Sequence, residues 1–228
     1  MRADDLRKYG CEFIGTYALV FFAAGAVMID AVAGGRLGPV GAGLISGLII
    51  TIVIYTFGHI SGAHVNPALS LAALIVGKLQ PRLLPGYVIA QMLGSAAAGL
   101  SLLAAIGDHG SMGANLPNEA LGVTPLIALL IELFLSFLLM WVICGAAFFA
   151  PDSFSLLGGV AVGATVGIEV MLMGPYAGAA MNPARAFGPY LAMGDFKHYW
   201  IYVVGPILGM VLGALVFRFT HASSRSAE

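Results

Sequence analysis

The sequence predicts an all-α membrane protein in which six transmembrane helices and two re-entrant half helices form an inverted repeat. Three observations predict this fold class. The 228 residues are 60% hydrophobic and 9% charged, whereas soluble domains carry about 25% charged residues. Apolar runs of roughly the 20 residues needed to cross a bilayer recur along the chain. The tripeptide Asn-Pro-Ala occurs twice, at 66–68 and 182–184, each time after a Gly-x3-Gly-Ala stretch.

Six apolar runs are long enough to cross the lipid bilayer. The first follows basic residues, as a cleaved signal peptide would, but it contains Glu12, which has a counterpart in the second half of the chain. We therefore expect it to remain as a spanning helix. The predicted spans are 10–33, 40–58, 84–106, 124–148, 156–173 and 200–220 of a single domain, 1–228. The net charge of −1 provides no basic surface for nucleic acid, so no nucleic-acid partner is expected.

The two halves of the chain match each other. Glu12 with Thr16 corresponds to Glu132 with Ser136, at nearly the same offset as the two Asn-Pro-Ala tripeptides. The first repeat covers 1–106 with a half helix at 66–76, and the second covers 124–220 with a half helix at 182–193. Because each repeat has an odd number of spans, the second must enter the membrane from the opposite side, which makes the repeat inverted.

Lysine and arginine residues lie mostly on one side of the predicted membrane. With the N-terminus inside, the inner ends carry Arg2, Arg7, Lys8, Lys78, Arg82, Arg218 and Arg225, and the outer ends carry Arg36 and Lys197. This asymmetry is typical of cytoplasmic loops. Both termini are therefore predicted to be cytoplasmic, in a plasma or inner membrane, and the segment 107–123 is predicted to be external.

The two Asn-Pro-Ala segments carry the chemistry. Non-helical backbone at membrane depth survives only inside protein or beside a water-filled cavity. Because proline favours the first helical position, Asn66 and Asn182 are predicted N-caps, with each amide NH2 left to donate into a lumen. Arg185 follows the second tripeptide, and an intramembrane arginine is costly enough to indicate function. A purely structural ion pair with Glu132 or Glu169 is the alternative.

These motifs resemble the aquaporin, or major intrinsic protein, family along essentially the whole chain. The resemblance implies an hourglass pore for water and small uncharged solutes in each subunit of a homotetramer, without cofactor or metal ion. It places Asn66 and Asn182 at the pore centre, flanked by Pro67, Ala68, Pro183 and Ala184. It implies that Glu12 and Glu132 brace the re-entrant loops. The implied ladder of carbonyl acceptors is Gly62, Ala63, His64 and Val65, with Gly178, Ala179, Ala180 and Met181.

In this family four positions form the outer constriction. Counted from the tripeptides, they are Ser46, Val170, Ala179 and Arg185. Small residues stand where water-selective members carry a bulky aromatic residue and a histidine, so the resemblance implies a wider filter. Ala186 stands where classical glycerol facilitators carry an aspartate. The filter is most similar to the nodulin-26-like, metalloid-conducting branch, and glycerol, urea and arsenous or boric acid are the expected larger solutes.

Several alternatives stay open at this point. His59 and His64 are candidates for pH sensing at the inner mouth or for a structural role. Glu12 and Glu132 are candidates for a proton relay or for bracing loops, and the role of Glu169 is undecided. Inverted repeats and broken helices also occur in secondary transporters, which is the second candidate function. An enzyme is not expected, because the sequence offers no nucleophile–base pair or metal-ligand cluster.

Overall fold

A computed structural model describes residues 2–150 and 157–221. Within these ranges the chain forms long helices α1 (Ala3–Val32), α2 (Gly38–Ser61), α4 (Leu84–Ile106), α5 (Pro125–Ile143), α6 (Gly158–Ala177) and α8 (Ile201–His221), and short helices α3 (Pro67–Ile75) and α7 (Pro183–Met193). A π-helical turn, Cys144–Phe148, extends α5. Six of these described helical segments are long and apolar enough to span a membrane. The predicted fold class is confirmed.

The helix ends differ from the prediction at three places. Helix α1 begins at Ala3, because the charged residues before the apolar run are also helical outside the span. Helix α2 continues to Ser61, and α6 continues through Pro175 to Ala177 instead of ending at 173. Pro175 lacks the N–H that would bond to the Met171 carbonyl oxygen, and membrane helices tolerate such a loss where neighbouring groups satisfy the freed backbone. Residue 156 of the fifth predicted span, like Arg225, lies outside the described ranges.

The half helix of each half of the chain packs against a long helix of the other half. Half helix α3 packs on α8, the last span, whereas half helix α7 packs on α4, the last span of the first half. Helix α1 packs on α2 and α4, and α5 packs in the same way on α6 and α8. The two half helices are therefore enclosed by long helices, which satisfies the requirement that irregular backbone at this depth be buried in protein.

Glycines let the long helices approach at backbone distance. A Cβ atom built on Gly209 of α8 would lie 2.2 Å from the Leu133 carbonyl oxygen of α5. One built on Gly47 of α2 would lie 2.5 Å from the Gly163 carbonyl oxygen of α6. Small residues at such spacing are the usual means of close helix packing in membranes. The α2–α6 and α5–α8 pairs therefore form two rigid walls on either side of the half helices.

Candidate functional site: a cavity between two half helices

Each half helix begins at the asparagine of its Asn-Pro-Ala tripeptide. The Asn66 side-chain oxygen accepts hydrogen bonds from the Ala68 and Leu69 backbone N–H groups at 2.9 and 3.3 Å. The Asn182 oxygen accepts from Ala184 and Arg185 at 2.9 and 3.2 Å. Both predicted N-caps are confirmed. Because both asparagines line the same cavity, the positive ends of two helix dipoles face one point.

The asparagine amides also tie the two re-entrant segments together. Asn66 Nδ2 donates to the Met181 carbonyl oxygen at 2.8 Å, and Asn182 Nδ2 donates to the Val65 carbonyl oxygen at 2.8 Å. The sequence predicted that each NH2 would be left for the lumen, and this is only half right. An amide nitrogen carries two hydrogens: one hydrogen of each asparagine crosslinks the loops, and the Asn66 nitrogen also lies 4.0 Å from the Met210 sulfur atom.

The loops before the half helices have an unusual backbone. Alternate residues adopt positive φ, with Ala63 at 48°, Val65 at 43°, Ala179 at 47° and Met181 at 49°. For residues other than glycine this conformation costs of order 1–3 kcal/mol each, and a β-branched valine is among the least suited to it. Surrounding contacts must therefore hold each loop in place.

Two buried glutamates supply those contacts. Glu12 accepts from the backbone N–H groups of His64 at 3.0 Å and Val65 at 2.7 Å. Glu132 accepts from those of Ala180 at 2.7 Å and Met181 at 2.8 Å. Hydrogen bonds to charged groups are the stronger ones, at about 1.5–3 kcal/mol, which is enough to offset the backbone strain. Every carboxylate oxygen of this pair is thereby engaged, as loop bracing requires.

The structure brings all four predicted filter residues, Ser46, Val170, Ala179 and Arg185, to the wall of one narrow cavity of about 100 Å³. The predicted carbonyl residues also line it, except Gly178. The Gly178 carbonyl oxygen instead accepts from Asn115 Nδ2 at 2.6 Å, and the Ser46 hydroxyl donates to the Ala42 carbonyl oxygen of its own helix at 2.8 Å. The rest of the wall is mostly aliphatic, including Leu19, Ile50, Leu139, Ile143, Val162 and Val166.

Arg185 is held by the segment 107–123, which sequence reasoning left without a role. Its side chain, 7% exposed, donates from Nη1 to the Gly113 carbonyl oxygen at 3.0 Å and to Asn115 Oδ1. The predicted alternative, an ion pair with Glu132 or Glu169, is absent from the ion pairs of the described residues. The guanidinium is therefore fixed by neutral oxygens and keeps its full charge at the cavity wall.

Asn115 is the functional residue that the sequence did not reveal. It is 1% exposed, its amide contacts both Arg185 and Gly178, and its carbonyl oxygen accepts from the Tyr190 hydroxyl at 2.7 Å. One residue thus joins the segment 107–123 to both the re-entrant loop and half helix α7. The sequence shows Asn115 only as an asparagine in a glycine-rich segment. Asparagine is common in loops of every kind, so this did not mark it as functional.

The His64 side chain makes hydrogen-bond and ring contacts with neighbouring residues and also lines the cavity. Its Nδ1 lies 3.1 Å from the Ser70 hydroxyl, which also accepts from Gln91 Nε2 at 3.0 Å. Its ring lies 6.2 Å from that of Phe148, on the π-helical turn. The imidazole therefore links the first re-entrant loop to half helix α3, and both His64 and Phe148 line the cavity.

Comparison with known proteins places this fold and site in a family. The family model described as major intrinsic protein matches residues 1–217, and the chain belongs to that family. Aquaporin NIP1-1 of Zea mays is 41% identical over 226 residues, which cover 96% of this chain and 78% of that protein. Nodulin-26 of Glycine max is 34% identical over 223 residues, which cover 96% of this chain and 80% of that protein. The resemblance to the nodulin-26-like branch is confirmed.

A solved structure shows the same fold. The aquaglyceroporin of Plasmodium falciparum superposes with a TM-score of 0.79 at 23% identity, over 96% of this chain and 98% of that chain. This likeness supports the arrangement of the helices and half helices.

Proposed function

We propose that this protein is a passive channel that carries water and small uncharged solutes across a membrane and excludes ions and protons. One observation carries the proposal. The N-termini of two half helices meet at a narrow cavity whose wall is mostly aliphatic and otherwise consists of residues of the two re-entrant loops, the two asparagines, Ser46, Phe148 and Arg185. Such a wall replaces the hydrogen bonds of a neutral solute but not the hydration shell of an ion.

The electrostatics of the site support selection against cations. Arg185 presents a fixed positive charge, and the N-termini of α3 and α7 add partial positive charges at the centre. A water molecule between Asn66 and Asn182 would accept from the amide hydrogens that do not crosslink the loops, so its own hydrogens would point away from the centre. A proton crossing the water file would have to reverse that orientation against both helix dipoles, as in aquaporin-type pores generally.

The residues at the proposed filter support passage of solutes larger than water. Ser46, Val170 and Ala179 present small or aliphatic side chains beside Arg185, and the Ser46 hydroxyl is turned onto its own helix. Glycerol, urea and the neutral hydroxides of arsenic and boron all match a wall with one apolar and one polar side. We therefore propose that these solutes pass the wide filter. The names aquaporin, nodulin-26 and aquaglyceroporin among the similar proteins agree with transport of water and small neutral solutes.

The proposal also covers the orientation of the chain across the membrane, its oligomeric state and the membrane in which it lies. Basic side chains cluster where α1 begins and α8 ends, with Arg82 paired to Asp5 at 2.6 Å and Lys78 stacked 4.4 Å over the ring of Phe149. This supports cytoplasmic termini by the positive-inside rule, in a plasma or inner membrane. We also propose a homotetramer whose subunits each contain two inverted repeats, 1–106 and 124–220; membership of the family supports this, and native mass spectrometry in detergent would refute the tetramer by finding monomers alone.

Flux measurements in proteoliposomes test the function. Stopped-flow light scattering with water, glycerol, urea and boric acid should show each crossing faster than through empty liposomes. Ser46→Trp should lower glycerol, urea and boric acid flux and spare water, because an indole would occupy the space beside Arg185. Leu48→Trp, two residues away on α2 and 60% exposed on the outer face, is the matched control and should leave all fluxes unchanged.

Two outcomes would overturn the proposal. Acceleration of water alone would refute the wide filter. Accumulation of a solute against its gradient when a proton gradient is imposed would refute the passive channel and favour a secondary transporter.

A further inference from the structure

The two halves of the chain are related by a two-fold pseudosymmetry that extends beyond the Asn-Pro-Ala tripeptides. The amides of Asn66 and Asn182 each donate to a carbonyl oxygen of the opposite loop, both at 2.8 Å. Gly47 and Gly163 also contact each other reciprocally: a Cβ atom built on either glycine would lie 2.5 Å from the carbonyl oxygen of the other. Gly47 and Gly163 are 116 positions apart, as are Asn66 and Asn182. One operation therefore relates α2 to α6 and the first re-entrant loop to the second.

The same operation gives the proposed filter a second set of four residues. The counterparts of Ser46, Val170, Ala179 and Arg185 are Val162, Ile54, Ala63 and Leu69, in that order. We call these four counterparts the mirror quartet. All of them line the same cavity as the filter, and they belong to, or pack against, one cluster of buried apolar residues. The cavity wall therefore holds two related constellations of residues.

Helix contacts place the mirror quartet at the opposite end of the cavity from the filter. Ile54 follows Ser46 by about two helical turns, or about 12 Å along α2. Its side chain packs beside the start of α6, because a Cβ atom built on Gly159 would lie 3.2 Å from Ile54 Cγ2. Val162 lies about one turn after Gly159, whereas the filter residue Val170 lies about two turns further along α6. The two helices thus run in opposite directions past the cavity and carry one such pair of residues at each end.

The two ends of the cavity differ in size and polarity. At the filter, Ser46 is small and the Arg185 guanidinium has nitrogens that donate hydrogen bonds. In the mirror quartet a valine stands in place of the serine, a leucine in place of the arginine and an isoleucine in place of a valine. None of its four side chains can form a hydrogen bond with a solute. His64 is a polar neighbour at this end, and its Nδ1 lies 3.1 Å from the Ser70 hydroxyl. Polar groups at this end are therefore confined to the first re-entrant loop.

The mirror quartet is held by rigid parts of the molecule. The Leu69 backbone N–H donates to the side-chain oxygen of the Asn66 cap at 3.3 Å, and Leu69 is 7% exposed. The Ala63 backbone N–H donates to the Ser61 hydroxyl at 3.1 Å. Val162 is 6% exposed and lies on the α2–α6 pair, whose glycines meet at backbone distance. Such close packing leaves little freedom for this end of the cavity to widen around a solute.

We propose that the mirror quartet is a second filter, which selects among the solutes admitted beside Arg185 by their size and by the apolar surface that they present. This inference rests on the proposed channel function. A hydroxyl group without a hydrogen-bond partner is costly in apolar surroundings, so of two solutes of equal size the one with fewer hydroxyl groups passes faster. The preferred class is therefore small uncharged solutes with one apolar side, such as diols, ahead of triols and longer polyols.

Paired substitutions measured in proteoliposomes test the second filter. Ile54→Ala should raise the ratio of glycerol to water flux by about tenfold, the lower end of what one methylene group changes in an apolar pocket. Ile49→Ala is the matched control and should leave the ratio unchanged, because Ile49 lies on the same helix and is 9% exposed but does not line the described cavity. Val162→Leu should lower the ratio. Its control is Val160→Leu, at a position on the same helix that is 48% exposed.

A pair of solutes tests the polarity of the second filter without any variant. Propylene glycol has nearly the size of glycerol and one hydroxyl group fewer. Its flux through the wild-type protein, after subtraction of the flux through empty liposomes, should exceed that of glycerol severalfold, because fewer hydroxyl groups lose their partners in the apolar opening.

Each outcome has a distinct meaning. A wild-type protein that accelerates neither water nor any solute would refute the channel function itself. If the protein conducts but Ile54→Ala and Ile49→Ala give the same ratio of glycerol to water flux, the second filter alone is refuted. Propylene glycol flux no greater than glycerol flux also overturns the proposal. Should Ile54→Ala fail to fold, Val162→Leu and the pair of solutes decide the question.

Discussion

Replacing Asn115 with alanine should weaken the hydrogen bonding of the segment 107–123 to Arg185 and lower solute flux more than water flux. The wild-type amide accepts from Arg185 Nη1 and donates to the Gly178 carbonyl oxygen at 2.6 Å. After the change, Arg185 keeps its bond to the Gly113 carbonyl oxygen at 3.0 Å but loses its second acceptor. The guanidinium then spends part of its time in the lumen, where it obstructs solutes larger than water.

The magnitude follows from the two bonds. The bond to the charged guanidinium is worth about 1.5–3 kcal/mol, and the neutral bond to Gly178 about 0.5–1.5 kcal/mol. Since about 1.4 kcal/mol corresponds to tenfold in an equilibrium, the wall-bound population of the guanidinium falls by about ten- to a hundredfold relative to the free one. The thermal unfolding midpoint should fall as well, because a buried carbonyl oxygen loses its partner.

Stopped-flow flux of glycerol and water through the same proteoliposomes measures the effect. Asn118→Ala is the matched control, because Asn118 is an amide on the same segment whose Nδ2 donates to the Pro175 carbonyl oxygen at 2.9 Å and does not contact Arg185. The reasoning is refuted if both variants change the ratio of glycerol to water flux equally, since the effect would then come from the segment as a whole.

Two further substitutions test the support of the pore. Glu132→Gln leaves a single acceptor oxygen for two backbone N–H groups, so the free energy of unfolding should fall by about 1–3 kcal/mol. The unfolding midpoint and all fluxes should fall with it. An unchanged midpoint in a fluorescence melt would contradict the bracing role. Gly209→Ala places a methyl group 2.2 Å from the Leu133 carbonyl oxygen and should sharply reduce the yield of folded protein. Gly10→Ala, with no atom within 4 Å of the new methyl group, should be neutral or stabilising by about 1 kcal/mol, and equal losses for both alanines would disprove the packing argument.

The extent of the helices shows where sequence reasoning falls short. The spans were predicted from apolar composition, which reports on the bilayer and not on the helix. Helix α1 therefore begins at Ala3, ahead of its apolar run, and α6 passes Pro175 and ends at Ala177, just before Gly178, whose φ is 96°. Composition does not show that α6 tolerates Pro175, because that depends on neighbouring groups in the bundle that satisfy the freed carbonyl oxygen.

The sequence by itself determined the six spans, the two half helices and the asparagines that cap them. These are local properties, since hydrophobic length and an Asn-Pro pair act within one or two turns of chain. The duplicated tripeptide and the paired Glu12 and Glu132 added the symmetry. Membrane insertion leaves few alternatives for such a chain, because every backbone polar group must be satisfied internally.

Only the tertiary structure decided what surrounds Arg185 and Glu169. Asn115 reaches Arg185 across 70 positions of sequence, and no local pattern indicates which of several loop amides will do so. The same holds for Glu169, whose missing partners become visible only when every neighbour is in place. Hydrogen bonding between distant segments depends on how the helices pack, and that packing is set by the glycine contacts of the whole bundle.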